Sequence, residues 1–290
     1  MINKDKLVES YLFCGPSDIG KTEITFDFIS KVNATVDCAK IKRGANPDVI
    51  IVAPVVEEKN GKSRKKDISI EQIKSAIKKV GFYAYNSKYK FLVIKEAEKM
   101  TSAAANSLLK IIEDPTPDTI VILISNNEMG TLPTIRSRCQ IVRFGLSTEE
   151  AIISQLQSEN IELEAEELFR IVSFSQGKIV KARKFLQNRD EFTLAQERLE
   201  SFKSAMKSGV VAGMNLSEEV FSDKEKLKVF LDEIVWYLRN LVKKQIDDGN
   251  DIRMIGKIST IVERVIKLRT IIATGNANQR LQLENFFVQL

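Results

Sequence analysis

The stretch that decides the fold is Gly15-Pro16-Ser17-Asp18-Ile19-Gly20-Lys21-Thr22, which matches the phosphate-binding pattern G-x-x-x-x-G-K-[ST]. It follows the apolar run at 11–14 and precedes a segment with helical periodicity that ends at Val32, so the motif lies between a predicted strand and a predicted helix. The glycines allow backbone N–H groups to face phosphate, while Lys21 adds a positive charge and Thr22 offers a hydroxyl to Mg²⁺. The sequence therefore predicts a nucleotide-binding P-loop with Gly15, Gly20, Lys21 and Thr22 as its binding residues.

Short apolar runs alternate with helix-period segments through the first half of the chain, which is typical of βα units that build a parallel sheet. One helix is predicted from Ser69 to Val80, where Ser69 and Gln72 have the spacing of a capping box. Another is predicted from Thr101 to Glu113. The strands are predicted at residues 11–14, 49–52, 91–94, 120–124 and 141–142.

The pattern changes after Phe144, where residues 147–150 open a helix and apolar residues then recur at helical spacing only. A polar break at 188–190 divides this helical half. We therefore predict a P-loop core at residues 1–145, a small helical lid at 146–190, and an all-α collar or oligomerisation domain at 191–290.

Composition excludes several classes of function. Hydrophobic residues make up 43% of the chain and charged residues 29%, which is typical of a globular protein. The chain has no histidine, so catalytic triads and His-ligated metals are excluded. The three cysteines are far apart in the sequence, so neither a disulfide framework nor a zinc site is expected. No signal peptide or membrane span is apparent, and we expect a cytoplasmic protein.

The charge of the chain gives only weak support for contact with nucleic acid. The formal net charge is +5, which is compatible with transient contact with a polyanion but far below the charge of a dedicated binder. The most basic run, Glu57 to Lys66, surrounds Asn60-Gly61 and is interpreted as a solvated hairpin or loop tip, with a nucleic-acid role as the less favoured alternative.

The end of the strand at 91–94 is unusual for an ATPase. A P-loop ATPase places Asp-Glu here, with the Asp holding the water shell of the metal and the Glu polarising the attacking water. This chain has Lys95-Glu96, so an ammonium would repel the dication, and fast hydrolysis is not expected. Two alternatives stay open: Lys95 turns aside and Glu96 or Glu98 supports Mg²⁺ indirectly, or Lys95 only completes the strand.

Two longer segments carry a resemblance to a known family. Residues 96–115 (EAEKMTSAAANSLLKIIEDP) and 132–140 (LPTIRSRCQ) resemble the bacterial clamp-loader ATPases of DNA polymerase III, and most closely their delta-prime subunits. The resemblance implies an α/β P-loop core of the AAA+ type with a parallel sheet, followed by a helical lid and a helical collar. It also implies a DNA polymerase holoenzyme component that sits in a pentameric ring with other subunits and acts with a sliding clamp and primed DNA.

The resemblance also implies roles for single residues. Arg138 of Ser137-Arg138-Cys139 matches the arginine finger that acts in trans on the ATP of a neighbouring subunit, and Ser125 lies where the family has its sensor 1 hydroxyl. Val180 occupies the sensor 2 position, at which relatives that hydrolyse ATP carry arginine. The family's four-cysteine zinc module retains only Cys38, so zinc is not expected.

These observations favour a delta-prime-like subunit that binds ATP and Mg²⁺ without efficient hydrolysis. The main alternative is an active AAA+ ATPase, either a clamp-loader motor subunit or a helicase loader. The intact Lys21 and Thr22 favour that alternative, whereas Lys95 and Val180 oppose it. A small-molecule P-loop kinase is disfavoured, since it leaves the Ser-Arg-Cys motif and the helical collar unexplained.

Overall fold

The structure, a computed structural model, describes residues 7–34, 36–59, 62–81, 87–161, 163–208, 224–248, 252–274 and 278–288. The chain divides into two units, Met1–Arg183 and Lys184–Leu290. The division falls later than the predicted end of the core at 145, so most of the predicted lid belongs to the first unit. The three-part division into core, lid and collar stays a prediction.

Five parallel strands form the sheet of the first unit, in the order β2-β5-β6-β1-β7. This confirms the predicted α/β fold with a parallel sheet. Two further strands, β3 and β4, pair antiparallel as a hairpin within the basic run, and its tip at Asn60-Gly61 lies outside the described residues. The strands are β1 Ser10–Cys14, β2 Val49–Val52, β3 Val56–Lys59, β4 Lys62–Lys65, β5 Lys90–Lys95, β6 Thr119–Ser125 and β7 Gln140–Arg143.

Several helices of the first unit begin at a side chain that caps the first turn. Ser69 Oγ accepts from the backbone N–H of Gln72 at 3.4 Å, and Gln72 Oε1 accepts from the N–H of Ser69 at 3.0 Å, which completes the predicted capping box. Thr101 and Thr148 cap two further helices, since each side chain accepts from the backbone N–H three residues later. The helices are α1 Lys21–Val32, α2 Cys38–Lys42, α3 Ile70–Val80, α4 Ser102–Glu113, α5 Pro133–Arg136, α6 Glu149–Ser158, α7 Ala165–Phe174 and α8 Ile179–Gln187, the last of which ends in the second unit.

The sheet separates two apolar cores, and alternate residues of β5 enter each of them. Leu92 and Ile94 pack with α3 and α4, whereas Phe91 and Val93 pack on the opposite face with α1 and α2. Because side chains alternate along a strand, Lys95 at the end of β5 lies on the face of α1. The P-loop helix and the end of β5 therefore share one side of the sheet.

The second unit is helical throughout the residues that the structure describes. Its core includes Phe202, Phe230, Leu238 and Leu283, each no more than 1% exposed. None of the helices in the described part of the chain combines the length and the apolar composition that crossing a membrane requires. The helices of the second unit are α9 Arg189–Ser208, α10 Lys224–Asp247, α11 Ile252–Thr274 and α12 Gln279–Val288.

Candidate nucleotide-binding site

The loop between β1 and α1 has a backbone that requires glycine at two positions. A Cβ atom at Gly15 would lie 2.4 Å from the carbonyl oxygen of Phe144. Gly20 has a φ of 90°, at which a side chain is strained. Asp18 also has a positive φ, 61°, a conformation that Asp tolerates better than most residues. Gly15 is therefore required by the close approach of the backbone after β7, and Gly20 by its own backbone conformation.

The side chain of Lys21 folds back into this loop. Its Nζ donates to the carbonyl oxygens of Gly15 at 2.8 Å and Pro16 at 2.5 Å, and to Oδ1 of Asn126 at 3.0 Å. Lys21 is only 5% exposed, and this burial lowers the pKa of its ammonium, against an opposing effect of nearby acids led by Glu98. Since an ammonium has three donors, a phosphate that binds Lys21 must replace at least one of these partners.

Asn126 is a site residue that sequence analysis missed. It follows β6 directly, and besides accepting from Lys21 it donates from its backbone N at 3.2 Å and from Nδ2 at 3.0 Å to Oε1 of Glu98. The other oxygen of Glu98, Oε2, is buried and has no partner among the described residues. Lys21, Asn126 and Glu98 thus form a continuous polar chain beside the P-loop. The signal that could have found it is an amide residue at the carboxyl end of the strand next to β1.

Ser125, the predicted sensor 1 residue, lies one position earlier and is fully buried. Its hydroxyl donates to the carbonyl oxygen of Asn127 at 2.8 Å and accepts from the N–H of Asn127 at 3.1 Å. These bonds close the turn that follows β6. The structure therefore places Asn126, and not the hydroxyl of Ser125, in contact with Lys21.

Two charged residues follow one another at the end of β5: a lysine, and a glutamate whose carboxylate is paired with other side chains. Lys95 pairs in register with Ile124 of β6 and has no ion pair among the described residues. Glu96 has a positive φ of 52°, and its carboxylate binds Nζ of Lys65 at 2.6 Å and Nζ of Lys99 at 3.8 Å. The carboxylate predicted to polarise water is therefore held by two other lysines.

These side chains suit a phosphate group better than a magnesium ion held by carboxylates. The loop has Lys21 among backbone carbonyls, and Thr22 lies half-buried in the first turn of α1, as the predicted roles require. Within the described ranges, no group of three or more His, Cys, Asp or Glu side chains is arranged to hold a metal ion. With Lys95 in place of the expected Asp, direct magnesium coordination by the strand end does not fit.

The start of α8 packs against the P-loop. The backbone N–H of Val180 donates to the carbonyl oxygen of Asp18 at 2.9 Å, and a Cβ atom at Gly20 would lie 3.4 Å from Cγ2 of Ile179. Val180, at the predicted sensor 2 position, thus lies next to the loop with a side chain that can donate no hydrogen bond. The next arginine along α8, Arg183, is paired with Glu159.

Arg138 lies in the turn after α5, and its described side-chain contacts are to residues outside the P-loop. Its Nε donates to Oε1 of Glu113 at 2.5 Å, and its Nη1 donates to the carbonyl oxygen of Thr134 at 3.1 Å and to Oγ of Ser137 at 3.3 Å. The side chain is 40% exposed. Its position is compatible with action on a neighbouring subunit, a role that stays a prediction.

Two of the three cysteines have thiols with a raised pKa. Burial raises the pKa of Cys14 to about 11 and that of Cys139 to about 12. Cys38, the remaining member of the family's zinc module, is half-buried at the start of α2. The absence of zinc stays a prediction.

The sheet order and the loop after β1 together define a P-loop protein with the AAA+ fold. A solved structure of a DNA polymerase III, gamma subunit-related protein from Thermotoga maritima has the same fold, with a TM-score of 0.52 and 18% identity over 99% of this chain and 95% of that chain. The chain belongs to the family described as "DNA polymerase III, delta subunit", whose profile matches residues 1–147.

Two curated relatives extend the family comparison. DNA polymerase III subunit delta' of Bacillus subtilis (strain 168) is 26% identical over 268 residues, which is 88% of this chain and 77% of that relative. DNA polymerase III subunit delta' of Haemophilus influenzae is 30% identical over 150 residues, which is 52% of this chain and 43% of that relative. The second match therefore spans less than half of the relative's own length.

Proposed function

We propose that this protein is a delta-prime-type subunit of a DNA polymerase III clamp loader, which helps place the sliding clamp on primed DNA during replication. Family membership and the long match to the Bacillus subtilis delta' subunit support this role. The partners are the other subunits of a pentameric ring and the sliding clamp, with weak or indirect contact to primed DNA. The protein acts in the cytoplasm.

Within that complex, the chain's own nucleotide site binds ATP and turns it over slowly or not at all. The observation that carries this proposal is the exchange of charge at the end of β5, where Lys95 stands at the position of the metal-holding carboxylate. Glu96, which would polarise water, is engaged by Lys65 at 2.6 Å. ATP and magnesium, when bound, supply the phosphoryl group and its counter-charge, and the chain supplies the P-loop amides, Lys21 and Thr22.

Asn126 is the residue of this site that responds to the outer phosphate. It already contacts Lys21 at 3.0 Å, whereas the hydroxyl of Ser125 is engaged with Asn127. An incoming phosphate oxygen that takes over a donor of Lys21 leaves Asn126 free to reorient, together with its bonds to Glu98. We therefore assign the sensor 1 function to Asn126, one residue later than the family resemblance implies.

Arg138 acts in trans as an arginine finger on the ATP bound by a neighbouring subunit. Its exposure of 40% and its described contacts, which are to residues outside the P-loop, support action outside this chain. A guanidinium stabilises charge on the transferred phosphoryl group through its planar fork of donors. The chain therefore contributes to catalysis by the complex even where its own site is slow.

ATP turnover measured for the purified chain and for the assembled loader tests the proposal. We expect negligible turnover by the chain alone and robust turnover by the assembled complex in the presence of clamp and primed DNA. The rival function, an active ATPase such as a motor subunit or a helicase loader, is favoured by Lys21 and Thr22. Turnover by the isolated chain at about 1 s⁻¹ or more, within the range of working enzymes, would establish that rival.

Membership of the complex has its own test. The tagged chain, expressed at its natural level, is purified from its native cell, and the bound chains are identified by mass spectrometry. We expect the other clamp-loader subunits in stoichiometric amounts. Recovery of a replicative helicase in their place would contradict the clamp-loader assignment and support a helicase loader.

A further inference from the structure

The guanidinium of Arg138 is fixed on one side by three contacts. Nε meets Oε1 of Glu113, and Nη1 meets both the carbonyl oxygen of Thr134 and Oγ of Ser137. Thr134 lies in α5 and Ser137 directly after it, both within four residues of Arg138, whereas Glu113 comes from the end of α4, 25 residues earlier. Glu113 is therefore the contact that ties the finger to a different element of the fold.

Both ends of this contact are anchored in the same apolar core. Ile112, next to Glu113 on α4, is 5% exposed, and Ile135 of α5 is fully buried. The backbone N–H groups of Arg138 and Cys139 both donate to the carbonyl oxygen of Ile135, at 3.1 and 3.2 Å. The separation of Glu113 and Arg138 is thus set by core packing, which is rigid, and not by a free surface loop.

The remaining nitrogen of the guanidinium, Nη2, has no hydrogen-bond partner among the described residues. Because the group is planar, fixing Nε and Nη1 also fixes the direction in which the N–H bonds of Nη2 point. A free arginine side chain samples many rotamers, and ordering it during catalysis opposes the reaction. The contacts of Arg138 order the side chain in advance.

We propose that Glu113 is a positioning residue for the arginine finger: it holds the guanidinium of Arg138 so that Nη2 faces the nucleotide phosphate of the neighbouring subunit. This inference rests on the proposed trans role of Arg138. Both partners are exposed to solvent, at 40% and 49%, so the ion pair is weak and does not neutralise the finger. Its contribution is geometric, through restriction of rotation.

The test compares variants of this chain within the assembled loader, with kcat and KM for ATP measured for each. Glu113→Ala should lower kcat about three- to tenfold, the range expected for losing the immobilisation of one long side chain. KM should change by less than about twofold, because the neighbour's ground-state nucleotide contacts are kept. Glu113→Gln, whose amide oxygen can still accept from Nε, should restore most of kcat.

A matched control is Asp27→Asn, which removes an exposed ion pair with the same N–O distance of 2.5 Å, between Lys31 and Asp27 of α1. It should leave kcat unchanged. The double variant Glu113→Ala/Arg138→Ala should be no slower than Arg138→Ala alone, since a positioning residue has no effect once the residue that it positions has been removed. An additive loss would show that Glu113 acts structurally and not through Arg138.

The remaining outcomes are distinct from one another. A rise in kcat on Glu113→Ala would overturn the inference, because it would mean that Glu113 holds the finger away from the phosphate. An unchanged kcat on Glu113→Ala, with a large loss on Arg138→Ala, would also overturn it while leaving the proposed function intact. An unchanged kcat on Arg138→Ala would instead overturn the trans role itself.

Discussion

Lys21 donates a 3.0 Å hydrogen bond to Asn126, a residue 105 positions later in the chain. This bond joins the first turn of α1 to the end of β6, the strand next to β1 in the sheet. Asn126 in turn donates to Glu98, so that a change at Lys21 reaches the turn after β5 through side-chain contacts alone. The candidate nucleotide site is therefore connected to the end of β5, where Lys95 stands in place of the expected Asp.

Asn126→Asp should weaken ATP binding by about tenfold or more. A carboxylate at this position would hold the ammonium of Lys21 more tightly and would repel the phosphates at short range. Asn126→Ala, which removes the bond without adding charge, should weaken binding by less than about threefold. Calorimetric titration with a non-hydrolysable ATP analogue measures both effects. Equal affinities for the two variants would mean that Lys21 does not exchange Asn126 for phosphate.

Lys95→Asp should strengthen magnesium-dependent nucleotide binding. The substitution removes a cation and restores a carboxylate where a P-loop ATPase supports the metal's water shell, for which we expect a gain of about tenfold, or 1.4 kcal/mol. The measurement is a nucleotide titration with and without magnesium. Lys66→Asp, at an exposed lysine paired with Glu57, is the control for net charge. If Lys95→Asp and Lys66→Asp behave alike, Lys95 does not face the metal position.

Arg138→Ala should slow ATP hydrolysis by the assembled loader by about 10³-fold, provided that the neighbour's site limits the rate. Arg138→Lys should be almost as slow, because a lysine cannot keep the contacts to Glu113 and Thr134 and still reach a phosphate. Thermal unfolding of the purified variants checks that the fold is kept, as expected for an exposed side chain. A loader with Arg138→Ala that retains full activity would remove the finger assignment.

The three thiols should react with a maleimide in a fixed order. Half-buried Cys38 should react first at pH 8, whereas burial raises the pKa of Cys14 to about 11 and that of Cys139 to about 12. Only the thiolate reacts, so roughly one part in a thousand of Cys14 is reactive at pH 8, and its rate should rise about tenfold per pH unit until the pH reaches its pKa. Peptide mapping of the labelled protein assigns each site. Fast labelling of Cys139 at pH 8 would contradict the packing described for the turn after α5.

Local sequence signals predicted much of the fold. The phosphate-binding motif and the alternation of apolar runs predicted the parallel sheet, and Ser69 with Gln72 marked the start of α3 within one residue. The short helices α2 and α5 were not predicted, since four or five residues carry too little periodicity to detect.

The contacts that define the site were harder to predict, because they join distant parts of the chain. Lys65 and Glu96 are 31 positions apart, and Lys21 and Asn126 are 105 apart. Motif spacing predicted Lys21 and Thr22 as binding residues, and the family resemblance implied the sensor 1 role for Ser125, whose hydroxyl is used inside its own turn. Only the path of the backbone after β6 shows that the next side chain is the one beside the lysine.

Lys95 occupies the last position of β5, at the edge of the apolar core on the side of α1, and it is half-buried beside Ile124 of β6, which belongs to that core. A side chain at such a boundary is half in solvent, so the sheet accepts an acid or a base there with little effect on folding. An acidic residue can therefore be exchanged for a basic one at this position without a change in the sheet. A protein with this fold can in this way keep its phosphate-binding loop and its sheet after it has lost the carboxylate that supports hydrolysis.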